Sequence, residues 1–238
     1  MNALEVKPLD TRINKYLSES GYCSRREADR LIAQQKIKIN GQLAEIGSKV
    51  SKEDIITVNG IPISRPDDWV YLAFNKPVGI VSTTDPLIKN NMIDFMRYNT
   101  RIFHVGRLDK DSEGLILMTN DGDIVNKILR AENNHEKEYI VSVNKKITHD
   151  FIINMSKGVP ILNTVTKPCT IKQISDKTFS IVLTEGLNRQ IRRMCTYFGY
   201  QVVSLKRTRI MHIHLDVPVG KYRALTPTEL QTLFQLIG

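Results

Sequence analysis

The sequence predicts an α+β protein: a small N-terminal unit of helices followed by strands, joined to a larger domain with a mixed, mostly antiparallel sheet. Three observations lead there. Before residue 64 the apolar spacing is short, with two helical stretches and then strands punctuated by Asn-Gly, whereas the later apolar runs are longer and β-rich. Those later runs alternate with modest helices but lack the regular strand–helix–strand spacing of a doubly wound sheet. At 238 residues there is room for one large domain, or for a small one joined to a medium one.

Residues 1–10 have no apolar segment of the kind that precedes a cleavage site and read as an untargeted, loose N-terminus. "TRINKYLSESG" places Ile13, Tyr16 and Leu17 at i, i+3 and i+4, an amphipathic helix ending at Gly21. In "SRREADRLIAQ", Ser24 and Glu27 make a capping box, and Ala28, Leu31 and Ile32 form the apolar stripe. "KIKING" alternates like a half-buried strand and closes on Asn40-Gly41, a type I′ hairpin signal; "DIITVNG" repeats the pattern to Asn59-Gly60. Residues 11–63 thus form one unit. "PISRPDDW", with Pro62 and Pro66, supplies a linker at 64–68. From 69 to 238 the strands expected are "WVYLAFNKP", "GIVST", "GLILMTN", "EYIVSV", "CTIKQI" and "FSIVLTEG", with helices at "DIVNKILR" and "RQIRRMCTYFG".

Composition narrows the function. Hydrophobic content of 41% and charged content of 25% fit a soluble globular protein, and no apolar run approaches the roughly 18–20 residues of a membrane span. Cys23, Cys169 and Cys195 are scattered and odd in number, which points away from disulfides and cysteine-bound zinc and toward a reducing cytoplasm. His212 and His214 would share a face in a strand but have no obvious third ligand, so structural or surface roles are expected. Lys plus Arg number 34 against 25 acids, a net +9 that suits a polyanion, with nucleic acid as the leading candidate. No Walker A motif, no dinucleotide-binding glycine pattern and no long repeat occurs, so no nucleotide cofactor is expected.

Two segments carry candidate chemistry. "GRLDKDSEG" is a loop before the buried strand "GLILMTN"; Asp109 and Asp111 each fit turn capping first, and a catalytic carboxylate second. Spacing does not rank one above the other. The stretch from residue 186 to 209 holds six cations and no acid. In its helix Ile191, Met194, Cys195 and Phe198 recur at the core-facing spacing. At about 100° per residue, Arg189 and Arg193 then face outward, available for phosphates, and Arg192 sits at the edge of the apolar stripe. A half-buried arginine there requires an anionic partner. Tyr139 stands at the entrance to a strand, after a charged loop.

The segments "TRINKYL", "SRREADRLI" and "KIKING" resemble the S4 RNA-binding domain, with Gln35 where that pattern usually has glycine. Together with "LAFNKPVGIVST", "VGRLDKDSEGLILMTNDG", "KEYIV" and "LNRQIRRM", nearly the whole chain resembles the pseudouridine synthases of the RsuA/RluB/RluE/RluF group. "NKPVGIVSTT", "EKEYIV", "GLNRQIRRM" and "RTRIM" bring it nearest to the F-type 23S rRNA synthases of that group.

The resemblance implies isomerisation of a specific uridine to pseudouridine in structured RNA, with 23S rRNA as the first target class and tRNA as a second. It implies that Asp109 is the catalytic carboxylate, that Tyr139 packs on the target uracil, and that Arg192 pairs with Asp109. Arg107 is implied to fill the space of the flipped nucleotide. The implied RNA contacts are Arg12, Lys15, Arg25, Arg26 and Arg30 on the S4 helices, and Arg189, Arg193, Lys206, Arg207 and Arg209 on the larger domain. Such an isomerisation needs no metal, nucleotide or redox cofactor, and a monomer without membrane attachment is expected. The long basic tail of some relatives is missing after Gly238, and its binding contribution is expected to be missing too. Asp109 would act as nucleophile or remove a ribose proton; the sequence leaves both routes open. Two other readings stand beside this one. A non-catalytic S4-type RNA-binding or ribosome-assembly factor would leave Asp109, Tyr139 and Arg192 without a purpose. A glycosidase would ordinarily need two carboxylates flanking the bond.

Overall fold

The computed structural model describes residues 11–65, 68–85 and 87–238; the N-terminal residues 1–10, and Pro66 and Asp67 of the expected linker, lie outside them. The chain divides into two compact units. One holds the described part of Met1–Trp69 together with Asn99–Ile102 and Asn120–Gly122; the other holds Val70–Tyr98, Phe103–Thr119 and Asp123–Gly238.

The first unit runs β1 (Thr11–Arg12), α1 (Ile13–Glu19), α2 (Arg25–Ala33), β2 (Ile37–Ile39), β3 (Gln42–Leu43), β4 (Lys49–Val50), β5 (Ile56–Val58) and β6 (Ile61–Ile63). Helix α2 starts where the capping residue predicts: the Ser24 hydroxyl accepts the Glu27 amide at 3.1 Å. Strands pair antiparallel in the order β3-β2-β5-β6. The turns Asn40-Gly41 and Asn59-Gly60 have φ of +49° and +83°, and of +51° and +82°, the double positive φ of a type I′ hairpin. Gln35 sits at φ +57°, so the position where glycine was expected is indeed left-handed. Ile13, Leu17, Ala28, Ile37, Ile56 and Val58 close the core beneath the helices.

The second unit runs β7 (Tyr71–Lys76), α3 (Met92–Met96), β8 (Phe103–Val105), β9 (Glu113–Thr119), α4 (Asp123–Leu129), β10 (Lys137–Val143), α5 (His149–Ser156), β11 (Pro160–Ile161), β12 (Thr164–Val165), β13 (Thr170–Ser175), β14 (Thr178–Leu183), α6 (Gln190–Tyr197), β15 (Val202–Ile210), β16 (Ile213–His214), β17 (Tyr222–Ala224) and α7 (Pro227–Ile237). The main sheet has the order β13-β14-β10-β15-β9-β7-β17, with β16 added on β15 and β8 on β9. Among the described residues its one parallel pair is β15 with β9; the other pairs are antiparallel.

Two cores flank this sheet. Val141, Phe179, Ile181 and Leu205 pack with Phe151 and Met155 of α5 and with Ile191, Met194 and Cys195 of α6. Ala73, Leu115, Leu117 and Ile210 pack with Ile124 and Ile128 of α4 and with Leu233 of α7. The segment "GIVST", expected as a strand, forms only an isolated bridge between Val81 and Asn91. Its Gly79 amide and Ser82 hydroxyl bond the loop carrying the aspartates. Among the described residues no helix is long and apolar enough to cross a membrane.

Candidate active site

Strand register places Lys76, Gly114, Arg207 and Tyr139 in one row across β7, β9, β15 and β10, because each is the direct partner of the next. Directly paired residues share a face of the sheet. Above this row lies the loop 106–112, whose Asp109 carbonyl accepts the Ser112 amide at 3.1 Å to close a β-turn. Three anchors hold the turn. Ser82 Oγ donates to the Leu108 carbonyl at 2.7 Å and accepts the Leu108 amide at 3.2 Å. The Gly79 amide donates to the Lys110 carbonyl at 2.7 Å. Lys76, fully buried, donates from Nζ to the carbonyls of Ser112 at 2.8 Å and Pro77 at 2.9 Å. Burial pushes the Lys76 ammonium down to about 8, against the pull of Asp109, Asp111 and Glu113. The run "NKPVGIVS" therefore serves as a brace for the aspartate loop.

The turn separates the two aspartates. Asp111 is bound through both oxygens by Arg189, at 3.2 and 3.0 Å, and meets Arg192 Nε at 3.4 Å. Hydrogen bonds from Arg189, then the charges of Arg192 and Arg189, hold its carboxyl below the usual range against a partial opposing effect of burial. Asp109 has a looser tie, a 3.5 Å ion pair with Arg189, and it lines a cavity of about 610 Å³. That cavity, a size typical of small-molecule sites, is also lined by Arg107, Tyr139, Leu187, Arg192 and Arg207. Tyr139 is buried and belongs to the same apolar cluster as Ile191 and Leu205.

The arginines depart from expectation in three places. Arg192 is half-buried at the helix edge, as its position on the wheel predicts, but its anionic partner is Asp111 and not Asp109. Its Nη2 donates to the Asp111 carbonyl at 2.8 Å and to Ser112 Oγ at 3.3 Å. Arg189 is not part of the outward helix face. It caps α6 in a left-handed conformation, φ +51°, which turns its side chain onto the two aspartates. Arg207 and Arg209 are not surface cations either. Strand β15 lies between β10 and β9, and this central place brings Arg207 under cover. Arg207 is 3% exposed and donates Nε to the Leu115 carbonyl at 2.6 Å. Arg209 is locked onto Glu138 at 3.0 Å and Glu136 at 2.9 Å. Lys206 stays near the surface, 3.8 Å from Glu113, and Arg193 donates to Asn188 beside it.

On the first unit Arg12, Arg25, Arg26 and Arg30 are exposed, Arg30 paired with Glu27 at 3.0 Å, and Lys15 pairs with Glu19 at 3.5 Å. Sequence reasoning missed Lys76, Ser82 and Lys137 as parts of the site and its supports. Only the lysine closing an otherwise apolar run hinted at the first. His212, expected to be structural, contacts the Glu229 carbonyl through Nε2 at 2.8 Å.

Known proteins resemble this arrangement closely. Residues 70–197 match the family described as RNA pseudouridylate synthase, and residues 11–56 match the S4 domain. The chain is 58% identical over 230 residues to the dual-specificity RNA pseudouridine synthase RluF of Salmonella typhi, covering 95% of this chain and 80% of that one. The RluF of Escherichia coli K12 is 56% identical over 229 residues, covering 95% and 79%. The ribosomal large subunit pseudouridine synthase B of Bacillus subtilis is 36% identical over 232 residues, covering 93% and 95%. A crystal structure of a pseudouridylate synthase superposes with a TM-score of 0.69 at 28% identity, covering 93% of this chain and 99% of that one. A cavity presenting a carboxylate, a tyrosine and arginines, in a chain that also carries an S4 domain and this family's sequence, identifies the chain as a member of the RNA pseudouridine synthases, isomerases that act on RNA.

Proposed function

We propose that Asp109 is the carboxylate that opens the glycosidic bond of the target uridine, with Tyr139 as the platform on which the uracil rests. The observation that carries this is the unequal treatment of the two aspartates. Asp111 is consumed by two guanidiniums, while Asp109 faces the cavity with, among the described residues, one long side-chain contact. A carboxylate tied through both oxygens is a poor nucleophile and a poor base; one with a free oxygen on a cavity wall can reach a ribose. Arg192 acts by fixing Asp111 and Ser112, and so the turn that aims Asp109. Arg189, 3.5 Å away, supplies a counter-charge beside Asp109. Arg107, exposed at the cavity rim, occupies the place of the nucleotide drawn from its stack.

The RNA acted on is 23S rRNA, with tRNA as a second class. The name of the Bacillus relative supports a large-subunit target, and the words "dual-specificity" in the names of the nearer relatives support two classes. The S4 unit, residues 11–63, holds the RNA through Arg12, Lys15, Arg25, Arg26 and Arg30, with Arg193 and Lys206 contributing from the larger unit. Three unlinked cysteines suit a reducing cytoplasm. Mapping pseudouridines in rRNA and tRNA from cells with and without the protein tests this. Loss of a modification in 23S rRNA is expected; unchanged maps in both RNA classes would overturn it.

A further inference from the structure

We propose that Arg207 is a second catalytic residue, whose guanidinium holds a carbonyl oxygen of the target uracil through bond cleavage and base rotation. The inference rests on reading this cavity as the uridine site. Arg207 is 3% exposed, and its Nε is spent on the Leu115 carbonyl. Among the described residues its Nη2 is buried without a hydrogen-bond partner, although Arg207 lines the cavity and stands directly beside Tyr139 in the sheet. A buried charged donor left unbonded is costly, and an arginine serving only to brace strands would be expected to use it. Tyr139 offers the flat surface, and Arg207 offers a donor at the edge of whatever lies on it. Lys137 and Lys76, both buried close by, add to the positive character of this side of the cavity. Such an environment favours negative charge that develops during reaction.

The chemistry of the isomerisation supplies that charge. When the N1–C1′ bond breaks, its electron pair leaves with the base, and the uracil anion spreads its charge onto O2 and O4. Asp109 meanwhile bonds C1′ or takes a ribose proton. Turning the base about its N3–C6 axis exchanges N1 with C5 and, at the same time, O2 with O4. A donor fixed beside one carbonyl before the turn therefore meets the other carbonyl after it. C5 then bonds C1′, Asp109 is released or returns its proton, the C5 proton departs and N1 gains one. No oxidant or co-reactant enters.

The test compares single-turnover rates on RNA carrying uridine, 2-thiouridine or 4-thiouridine at the target, for wild type and Arg207→Lys. Sulfur is a weak acceptor, so a bond from Arg207 to oxygen is lost in the analogue. Arg207→Lys should slow uridine about 10-fold or more, and should slow the thio-substituted substrates markedly less. Equal slowing on all three would assign Arg207 a structural or phosphate-binding role and overturn the inference. Should Arg207→Lys not fold, a crystal of Asp109→Asn with target RNA decides. Nη2 within about 3.2 Å of O2 or O4 is expected, and a separation beyond about 4 Å overturns the inference. Wild type that isomerises no uridine in any RNA would instead overturn the reading of the cavity itself.

Discussion

Gly114→Ala is the substitution whose effect the geometry defines most sharply. Gly114 is buried on β9 between Lys76 of β7 and Arg207 of β15. A Cβ added there would lie 2.3 Å from the Arg207 carbonyl oxygen and 2.6 Å from its amide nitrogen. Both are backbone atoms in the sheet, so neither can rotate aside. The residue also sits at φ +111°, outside the range of ordinary side chains. Overpacking costs about 1–3 kcal/mol and the backbone strain a further 1–3 kcal/mol, which together centre near 4 kcal/mol. For a chain of this length that is a fall in Tm of roughly 8–16 °C. Gly79→Ala is the control: φ is +92° but no atom lies within 4 Å of its Cβ, so only the strain remains. Scanning calorimetry of the two variants separates the terms. Because the displaced strand carries Arg207, Gly114→Ala should also lose isomerisation in whatever fraction still folds. A Gly114→Ala melt no lower than that of Gly79→Ala would refute the account of how β9 and β15 meet.

Two further predictions concern parts outside the cavity. Glu229 closes the capping box of α7 with Thr226 and is gripped by both Nη atoms of Arg223, at 2.7 and 2.8 Å, which holds its carboxyl near pH 2, well below its usual 4.5. A folded-state value lowered that far corresponds to a ceiling of roughly 3 kcal/mol, fully present above pH 4.5 and lost as pH falls toward 2. Glu229→Gln should therefore destabilise by about 1–3 kcal/mol at pH 7 in urea titrations, and the gap to wild type should close in acid; a gap constant with pH would contradict it. In the S4 unit, Arg26→Ala or Arg30→Ala should weaken RNA binding and reduce the dependence of log K on log salt by about 0.7–0.9 for each phosphate no longer neutralised. Unchanged affinity across salt concentrations would remove these helices from the RNA surface.

Local rules made much of this structure legible. Ser24, Asn40-Gly41 and Asn59-Gly60 act within a few residues of themselves, so their caps and turns could be read directly. The stripe Ile191, Met194, Cys195 likewise sets the buried face of α6, and with it the edge position of Arg192. What local pattern does not contain is partnership across the sheet. Arg192 demanded an anion, but whether Asp109 or Asp111 supplied it depended on a turn whose anchors, Lys76, Gly79 and Ser82, lie some 30 residues earlier in the chain. The family resemblance named Asp109, whereas the turn presents Asp111. "GIVST" has strand composition, yet its Gly79 amide and Ser82 hydroxyl bond that turn, and Val81 meets Asn91 in an isolated bridge. Arg207 and Arg209 looked like a phosphate surface because β15 reads as charged; its central place in the sheet, fixed by long-range pairing, buries one and ties the other to glutamates.

The central claim is that Asp109 works on the substrate while Asp111 holds the loop. Release of tritium from RNA labelled at C5 of uridine, measured for Asp109→Asn and Asp111→Asn alongside RNA affinity, tests it most directly. Asp109→Asn should lose at least about 10³-fold in rate with affinity nearly unchanged, since phosphate contacts dominate binding. Asp111→Asn should be slowed, through a loosened Arg189 and Arg192, yet still release tritium. An active Asp109→Asn beside an inactive, folded Asp111→Asn would contradict the account.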